Sequence, residues 1–315
     1  MTDALRMNVE PYADVQTAPI VLNLQSLKKS YGSLRVLNGL DLSVRQGEVF
    51  GFLGRNGAGK STAIRMIMGI SKVDDGFIDV FGQPLRADLI HTRQRIGYVA
   101  QDQNMYPWMT PKVISRFVRG FYPRWDEARY KRLLTDFDLP PKRKIGTFSG
   151  GMKAKLALTL ALATRPELLI LDEPTAGMDP VARREFLDLV RDQTAGDGVT
   201  TFFSTHLIDE IEAIADRIGI VEAGTTMYEG ELDPLRNSIA TWSIDARHYT
   251  PGSLPGEFAR HSLRILRESE RRGRYEVTLQ FSESTLASHE IILDSGWRHD
   301  PMSLEDVFIA VVSQS

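Results

Sequence analysis

The sequence predicts an α/β fold in which helices cover both faces of a mostly parallel sheet. Short strands that are apolar along their length, such as residues 168–171, alternate with segments of helical spacing, as in buried parallel sheets. A glycine-rich turn at residues 54–59 separates a predicted strand from a predicted helix. Strands of alternating polarity flank this core, and they predict an N-terminal antiparallel β-layer and a small C-terminal α+β domain.

The composition is that of a soluble globular protein, and it excludes several functional classes. The 315 residues are 42% hydrophobic and 25% charged, and a net charge of −3 provides no basic field for nucleic acid. The absence of cysteine excludes disulfides, thiolate catalysis and cysteine-ligated metals. No apolar run reaches the roughly 18 residues that a membrane span needs, and charged residues interrupt the N-terminus where a signal peptide would be apolar.

The first elements form the predicted antiparallel layer and lead into the glycine-rich turn. Residues 1–19 are polar and predict a flexible extension. Strands are expected at 20–24 and 40–44, with a hairpin turn at 28–33 between them. A buried strand at 47–53 precedes the glycine-rich turn, and a helix at 62–68 follows it.

Further along the chain, strands and helices alternate, with one helical insert. Residues about 104–146 carry apolar residues at helical spacing, with breaks at Gly120 and Pro123. Ser149 is a candidate N-cap for the next helix. The other elements are strands predicted at 76–82, 96–101, 168–173, 199–205 and 217–221 and helices predicted at 152–163, 181–193 and 207–215.

The character of the sequence changes near residue 232, which predicts a domain boundary. Residues 20–232 would form the main domain and residues 233–315 an accessory α+β domain. In the accessory domain we expect strands at 241–245, 275–281 and 290–293, a charged turn at 267–274 and a terminal helix at 304–312.

The glycine-rich turn satisfies the G-x-x-x-x-G-K-[ST] pattern of a phosphate-binding loop from Gly54 to Ser61. Backbone N–H groups of such a loop, at the start of a helix, bind phosphate oxygens. Lys60 would reach the β- and γ-phosphates, and the Ser61 hydroxyl would bind Mg²⁺. The sequence therefore predicts a P-loop NTPase core that binds a nucleoside triphosphate through Gly54, Arg55, Asn56, Gly57, Ala58, Gly59, Lys60, Ser61 and Thr62.

Two carboxylates, Asp172 and Glu173, end the apolar strand that begins at Leu168. Ligands of open α/β sheets bind at the carboxyl ends of the strands, so we expect these acids beside the phosphate-binding loop. Asp172 would hold Mg²⁺, and Glu173 would orient or deprotonate the attacking water.

The order of the motifs resembles that of the ATP-binding subunits of ABC transporters. Ser149-Gly150-Gly151 lies between the phosphate-binding loop and Asp172, and Ser204-Thr205-His206 follows the two acids. The resemblance covers about residues 22–230, with every motif in order. It implies an ATPase that uses ATP and Mg²⁺.

The resemblance also implies roles that spacing alone does not assign. Tyr31 matches the aromatic residue that stacks on adenine. Gln101 matches a glutamine that contacts Mg²⁺ and water and couples the site to the membrane partner. His206 matches the switch histidine that contacts the γ-phosphate, and the predicted catalytic set is Lys60, Gln101, Glu173 and His206.

Ser149, Gly150 and Gly151 match the signature motif, which binds the γ-phosphate of ATP held by the other subunit, and Asp179 matches a loop that crosses the dimer interface. The residues agree with this reading, because a serine and two glycines at a helix start form a second anion cradle. Within one chain the phosphate-binding loop already binds the phosphates of the active site, so the second cradle has none to bind. Two chains placed head to tail would each complete the other's site.

A narrower resemblance, at residues 121–126 and 303–308, is to bacterial ABC-2-type exporter ATPases that pair with separately encoded permeases. It implies a homodimer, or a heterodimer with a similar subunit, on the cytoplasmic face of the membrane and without a nucleic-acid partner. Phe148 and Met152 replace the usual leucine and glutamine of the signature motif.

The expected function is ATP hydrolysis that powers a bacterial exporter, and two other classes stay open at this point. A soluble ABC-type ATPase would use the same closure as a clamp on ribosomes or DNA. Such proteins usually carry two ATPase halves or long coiled-coil insertions, which this sequence lacks. A small-molecule kinase would use the same phosphate-binding loop but would leave the signature motif unexplained.

Overall fold

The fold is seen in a computed structural model, which describes residues 18–248, 263–271, 273–281, 296–300 and 302–313. The strands in these residues, in chain order, are β1 (Ile20–Tyr31), β2 (Leu34–Arg45), β3 (Val49–Gly54), β4 (Asp75–Val80), β5 (Gln83–Pro84), β6 (Ile96–Val99), β7 (Leu168–Asp172), β8 (Thr200–Thr205), β9 (Arg217–Glu222), β10 (Thr225–Glu231), β11 (Ile239–Asp245), β12 (Leu263–Arg271), β13 (Arg274–Phe281) and β14 (Arg298–Asp300).

The helices of the same residues include every one that the sequence predicts, and α3 and α4 lie in the predicted helical insert. No helix in the described part of the chain combines the length and apolar character that crossing a bilayer requires. In chain order the helices are α1 (Lys60–Ile67), α2 (Leu89–Gln94), α3 (Pro111–Val118), α4 (Glu127–Asp136), α5 (Gly150–Ala163), α6 (Pro180–Asp197), α7 (Ile208–Ile214), α8 (Leu232–Ser238) and α9 (Leu304–Val312).

The central sheet has the strand order β10-β9-β3-β8-β7-β6. Every neighbouring pair is parallel except β9 and β10, which form a hairpin. β3 and β7 are buried at all of their positions, as expected for strands that are covered on both faces. This arrangement confirms the predicted α/β fold with a mostly parallel sheet.

The two faces of the central sheet contact different layers. Alternate residues of a strand point to opposite faces, so Phe50 and Phe52 of β3 join one hydrophobic cluster while Leu53 joins the other. The first cluster contains the antiparallel sheet and α1, and the second contains the helical insert, α5, α6 and α7. The phosphate-binding loop, at the carboxyl end of β3, therefore starts between the two layers.

The N-terminal antiparallel sheet has the strand order β2-β1-β4-β5, and it confirms the predicted β-layer. Its first two strands are longer than predicted, with 12 residues each. The turn between them is confined to Gly32-Ser33, so the turn predicted at 28–33 begins too early. Lys28 belongs to β1, because its backbone is paired with Asp75 of β4 in the ladder. Its ammonium also contacts the Asp75 carboxylate at 2.8 Å.

This sheet is attached to the central sheet at the β9–β10 turn. The backbone N–H of Asn38 donates to the Gly224 carbonyl oxygen at 2.9 Å, and the Asn38 side chain donates to the Ala223 carbonyl oxygen at 2.7 Å. Gly224 has a φ of +76°, and a Cβ built on it would lie 2.2 Å from the Val36 carbonyl oxygen. Only glycine fits this approach of the two backbones.

The C-terminal residues form an antiparallel sheet with the order β12-β13-β11-β14. The charged turn predicted at 267–274 is wrong, because residues 267–271 belong to β12 and pair with β13. β12 is at the edge of the sheet, where charged side chains are common because they discourage pairing with other chains. The strand predicted at 290–293 and residues 1–17 of the predicted extension lie outside the described residues.

The terminal helix α9 has the bounds that the sequence predicts. It begins with a capping box in which the side chains of Ser303 and Asp306 bond each other's backbone N–H groups. Val307 is fully buried in the hydrophobic cluster that also contains Leu235 of α8 and Leu53 of β3. The boundary predicted near residue 232 stays a prediction, although the hydrophobic cluster continues across it.

Candidate nucleotide-binding site

The phosphate-binding loop connects β3 to α1, as the sequence predicts. Gly57 and Gly59 have φ angles of +87° and +102°, a region that residues with side chains rarely adopt. A Cβ built on Gly59 would also lie 2.6 Å from the Leu37 side chain and 3.0 Å from the Val36 carbonyl oxygen. Glycine is therefore required for the loop to pass this close to β2 on its way to the N-terminus of α1, where free N–H groups favour an anion.

Lys60 is the first residue of α1, and it is 4% exposed. Its ammonium donates to the carbonyl oxygens of Gly54 at 2.8 Å and Arg55 at 3.3 Å. The same group contacts Oε1 of Glu173 at 3.0 Å. A buried ammonium needs anionic or polar partners, and a phosphate oxygen is an acceptor of the same kind as the Glu173 carboxylate.

Glu173 follows β7 in a strained conformation, with a φ of +41°. Its backbone N–H donates to the carbonyl oxygen and the hydroxyl of Ser204, both at 3.1 Å. The second carboxylate oxygen, Oε2, lies 3.2 Å from Nδ1 of His206 and 3.4 Å from Nε2 of Gln101. One carboxylate therefore contacts three of the residues that the sequence assigns to catalysis or to the γ-phosphate.

Asp172 ends β7, and it is 3% exposed. Its Oδ1 accepts hydrogen bonds from the hydroxyls of Ser204 at 2.9 Å and Ser61 at 3.1 Å. Burial raises the pKa of Asp172, against the hydrogen bonds from Ser204 and Ser61, which lower it. This carboxyl group is costly to ionise in its own surroundings, and a nearby cation would offset the cost.

The Asp172 and Ser61 oxygens are of the type that Mg²⁺ prefers, and their contact at 3.1 Å places both beside the phosphate-binding loop. Among the described residues, no group of three or more His, Cys, Asp or Glu side chains is arranged to hold a metal by itself. The residues present therefore fit an Mg²⁺ ion that completes its coordination with phosphate and water oxygens.

A cavity of about 620 Å³ opens in front of the loop. It brings together nine of the residues that the sequence assigns to the site, namely Asn56, Gly57, Gly59, Lys60, Ser61, Thr62, Gln101, Glu173 and His206. The cavity is lined by both a cationic and an anionic side chain, because Lys60 faces the Glu173 carboxylate. The cavity can therefore hold an anion that replaces one of these contacts.

The signature motif lies elsewhere on the surface. Ser149 and Gly151 line a separate cavity, together with residues of α3, α4 and α6. The Ser149 hydroxyl accepts from the N–H of Met152 at 3.2 Å, which confirms it as the N-cap of α5. A Cβ built on Gly150 would meet no atom within 4 Å, so the surface above this helix start is open.

The two positions that depart from the usual signature motif both contact hydrophobic residues, and Met152 also lines the cavity beside Ser149. Phe148 is buried in the hydrophobic cluster of the helical insert, and Met152 packs against the same cluster. A larger ring at 148 and an apolar side chain at 152 are thus explained by packing.

Tyr31 and Asp179 are not among the residues that line the cavity in front of the phosphate-binding loop. Tyr31 ends β1 with its ring 49% exposed, and Nζ of Lys29 lies 5.3 Å from the ring centroid. Asp179 is the N-cap of α6, where its Oδ1 accepts from the N–H groups of Ala182 and Val181 at 3.0 Å each. These hydrogen bonds hold the pKa of Asp179 below its ordinary value, and the bond from Ala182 contributes most.

The sequence assigns no role of their own to two polar side chains behind the cavity. Ser204 joins Asp172 to the backbone of Glu173 through its hydroxyl. Glu210 is 1% exposed and accepts hydrogen bonds from the hydroxyls of Thr175 and Thr205. The available signal for Ser204 was its place one residue before Thr205-His206 at the end of a buried strand.

Comparison with known proteins agrees with this geometry. The sequence profile of the family described as ABC transporter matches residues 37–176. A protein of Burkholderia orbicola described as Nod factor export ATP-binding protein I is 34% identical over 307 residues, which are 95% of this chain and 99% of that protein. The chain belongs to the ATP-binding proteins of ABC transporters. The α/β core and the order of its motifs are thus those of an ABC transporter ATP-binding protein.

A further relative and a solved structure each match 69% of this ABC transporter ATP-binding protein. A Bacillus licheniformis protein described as bacitracin transport ATP-binding protein BcrA is 35% identical over 221 residues, or 69% of this chain and 71% of that protein. A solved structure described as the ATP-binding subunit of an ABC transporter has a TM-score of 0.62 at 31% identity. It covers 69% of this chain and 92% of its own.

Proposed function

We propose that this chain binds and hydrolyses ATP as the motor subunit of a bacterial ABC-type exporter. The observation that carries the proposal is the grouping of Lys60, Glu173 and His206 in one cavity at the phosphate-binding loop. Triphosphate binding needs the loop and the lysine, whereas hydrolysis also needs a base and a residue that orients the attacking water. The α/β core places all three side chains at the carboxyl edge of the central sheet.

The triphosphate would bind with its β- and γ-phosphates on the N–H groups of residues 54–62 and on the Lys60 ammonium. Tyr31 would stack on the adenine ring, which its exposed ring permits. Ser61, Asp172 and Gln101 would hold Mg²⁺, which neutralises charge that develops on the phosphates.

Hydrolysis requires the Lys60–Glu173 contact to change. A γ-phosphate bound to Lys60 competes with Glu173 for the same ammonium, because both are anionic. Once replaced, the Glu173 carboxylate is available to accept a proton from the attacking water. His206, 3.2 Å from Glu173, would then hold the γ-phosphate and the water in line.

The separation of the signature motif from the phosphate cavity supports a two-chain site. Ser149 and Gly151 line a cavity that does not include the phosphate-binding loop. Their helix start nevertheless has the composition of an anion cradle. Two chains in a head-to-tail dimer would bring the cradle of each, and the Asp179 loop, to the triphosphate of the other.

Transport rather than clamping is supported by the relatives, which are described as Nod factor export and bacitracin transport ATP-binding proteins. We infer that a separately encoded permease supplies the membrane spans and docks near Gln101 and the helical insert, with this chain on the cytoplasmic face. We further propose residues 20–232 as the ATPase domain and residues 233–315 as an accessory domain.

The test of this proposal is the substitution Glu173→Gln. The amide cannot accept the proton of water, so turnover should fall by roughly 10²-fold or more, as general-base loss does. ATP binding should persist, because Lys60 and the loop are unchanged, and we expect a trapped dimer. Steady-state hydrolysis and equilibrium ATP binding are the measurements.

Lys60→Ala is the matched control, because it removes the phosphate contact and should weaken ATP binding itself. Wild-type hydrolysis in the Glu173→Gln protein would remove Glu173 from the proposed role. ATP binding by Lys60→Ala at wild-type strength would remove the cavity as the phosphate site.

A further inference from the structure

Glu210 lies behind the catalytic cavity and is not one of the residues that the family motifs assign. It sits in the first turn of α7, with 1% of its surface exposed. A buried carboxylate is costly unless its oxygens are hydrogen-bonded or paired with a cation. The Glu210 carboxylate therefore needs hydrogen-bond donors or a cation within contact distance.

Each oxygen of Glu210 accepts one threonine hydroxyl. Oε1 accepts from Thr175 and Oε2 accepts from Thr205, both at 2.5 Å. Both threonines are themselves buried. Hydrogen bonds to a carboxylate are stronger than those between neutral groups, so Glu210 ties the turn after β7 to the end of β8.

The two loops are those that carry Glu173 and His206. Thr175 follows Glu173 by two residues in the turn after β7, and the N–H of Ala176 donates to the Glu173 carbonyl oxygen at 3.1 Å. Thr205 immediately precedes His206, and its hydroxyl also accepts from the N–H of Leu207 at 3.0 Å. The backbone on both sides of His206 is therefore fixed to one hydroxyl that donates to Glu210.

A third contact extends the group toward α6. Nε of Arg183 lies 3.3 Å from Oε1 of Glu210, and Arg183 lines the phosphate cavity with Thr175 and Thr205. Arg183 stands in the first turn of α6, whose N-cap is Asp179. The carboxylate thus joins the Glu173 turn, the His206 loop and the start of α6.

We propose that Glu210 is a positioning residue for ATP hydrolysis, which sets the distance between Glu173 and His206 from behind the cavity. This inference rests on the proposed function. The contact it controls is the 3.2 Å approach of His206 Nδ1 to Glu173 Oε2. Glu210 is not itself among the residues that line the cavity, so it acts through Thr175 and Thr205 and not on the substrate.

The main test compares Glu210→Gln and Thr205→Val with wild type. In Glu210→Gln, the amide NH₂ group is a donor and replaces an oxygen that now accepts a threonine hydroxyl. In Thr205→Val, the hydroxyl is lost while the side-chain volume stays nearly constant. We expect kcat to fall by about 10-fold or more in each, while the Kd for ATP changes by less than about threefold, because positioning affects the transition state more than binding. The double variant should lose little more than either single variant, since both break one chain of contacts.

Matched controls exist elsewhere in the chain. Glu48→Gln removes a buried carboxylate that pairs with Arg217 at 3.1 Å, outside the cavity. Thr194→Val removes a buried hydroxyl that contacts the Thr201 hydroxyl at 2.9 Å between α6 and β8. Both should change stability about as much as the test variants and leave kcat within about twofold of wild type. An equal loss of kcat in these controls would overturn the inference, because general destabilisation would then explain it.

A second readout needs no hydrolysis. The chain has 6 histidines, so the ring signal of His206 can be assigned by its loss in His206→Gln and followed by NMR with labelled histidine. We expect Glu210→Gln and Thr205→Val to shift or broaden this signal and the two controls to leave it unchanged. An unchanged signal together with wild-type kcat would overturn the positioning role.

Failure of the proposed function is distinguishable from failure of this inference. The former would appear as full hydrolysis by Glu173→Gln. The latter would appear as full hydrolysis by Glu210→Gln while Glu173→Gln is inactive.

Discussion

At the scale of single residues, the carboxylates of the site occupy costly positions. Glu173 has a φ of +41°, which costs a residue with a side chain roughly 1–2 kcal/mol. Ser204 holds this conformation by accepting twice from the Glu173 N–H. We interpret the strain as the consequence of placing the carboxylate within reach of both Lys60 and His206.

Asp172 also occupies a costly position, because burial opposes the ionisation of its carboxyl group. Because its pKa is raised in the folded protein, the folded state binds more protons than the unfolded state above the ordinary carboxyl value. The linkage relation then makes stability fall as pH rises from that ordinary value through the raised pKa. Above the raised pKa, ionisation of the buried Asp172 carboxyl lowers the free energy of unfolding.

Asp172→Asn should therefore stabilise the protein when no nucleotide or Mg²⁺ is added. Its Oδ1 can still accept from Ser61 and Ser204 without a buried charge. We expect the thermal midpoint at pH 7 to rise by roughly 2–4 °C, which corresponds to about 1 kcal/mol for a chain of this size. The gain should shrink below pH 4, where wild-type Asp172 is protonated.

Calorimetry in the presence and absence of Mg²⁺ and ATP is the measurement for Asp172→Asn. The variant should also lose the extra stabilisation that Mg²⁺ gives with ATP. A lower midpoint in the variant without ligands, or full Mg²⁺-dependent stabilisation, would contradict this account of Asp172.

The sequence predicts the residues that the structure groups at the phosphate-binding loop, because their motifs are contiguous and each spacing has a chemical reason. Gly57, Gly59 and Lys60 are examples. It does not predict the bonds of Ser204 to Asp172 or of Glu210 to Thr175, whose partners are 32 and 35 residues apart. These contacts form only when β7 packs against β8 and α7, so no short sequence pattern predicts them.

At the scale of elements, strands that are buried on both faces were the easiest to predict. β7 is apolar until Asp172 because no position of it meets solvent. The sequence predicts β1 too short and does not predict β12, because their exposed positions carry charged residues that resemble turn sequence. Lys28 and Arg267 are such residues, and both lie in strands.

The joint between the two sheets gives a prediction at this scale. Gly224→Ala should destabilise the protein by roughly 3 kcal/mol or more, because overpacking adds to the strain of a positive φ. Its Cβ would meet the Val36 carbonyl oxygen at 2.2 Å. Urea unfolding monitored by far-UV circular dichroism is the measurement.

Gly198→Ala is the control for this joint. Gly198 has a φ of +63°, but a Cβ there would meet nothing within 4 Å, so strain alone should cost roughly 1 kcal/mol. Equal losses of stability in the two variants would show that the approach of β2 to the β9–β10 turn is not tight.

At the scale of the whole molecule, the described C-terminal residues share a hydrophobic cluster with the α/β core. Val307 of α9 is fully buried in that cluster, whereas Ile309 of the same helix is 43% exposed. Helix α9 thus packs against the main part of the chain through one face only.

Val307→Ala should lower the free energy of unfolding by roughly 2 kcal/mol, since it deletes two buried methyl groups and leaves a cavity. Ile309→Ala should change it by less than about 0.5 kcal/mol, as exposed substitutions do. Chemical unfolding of both variants decides the point. Equal effects would show that α9 does not contribute its buried face to the core.

The whole-molecule account depends on a site shared between two chains. Ser149→Arg tests it, because an arginine would fill the anion cradle at the start of α5. Ser149→Ala is the control, since it removes the N-cap bond at a cost of about 1 kcal/mol and leaves the cradle open. Both are best placed in the Glu173→Gln background, where slow turnover preserves bound ATP.

The most direct measurement is sedimentation velocity of these proteins with ATP and Mg²⁺. The account predicts that Glu173→Gln, alone or with Ser149→Ala, sediments as a dimer of the 35.4 kDa chain only when ATP is present. It predicts that Glu173→Gln with Ser149→Arg binds ATP and stays monomeric. A monomer in every case, together with wild-type ATPase activity of the single Ser149→Arg variant, would contradict the shared site.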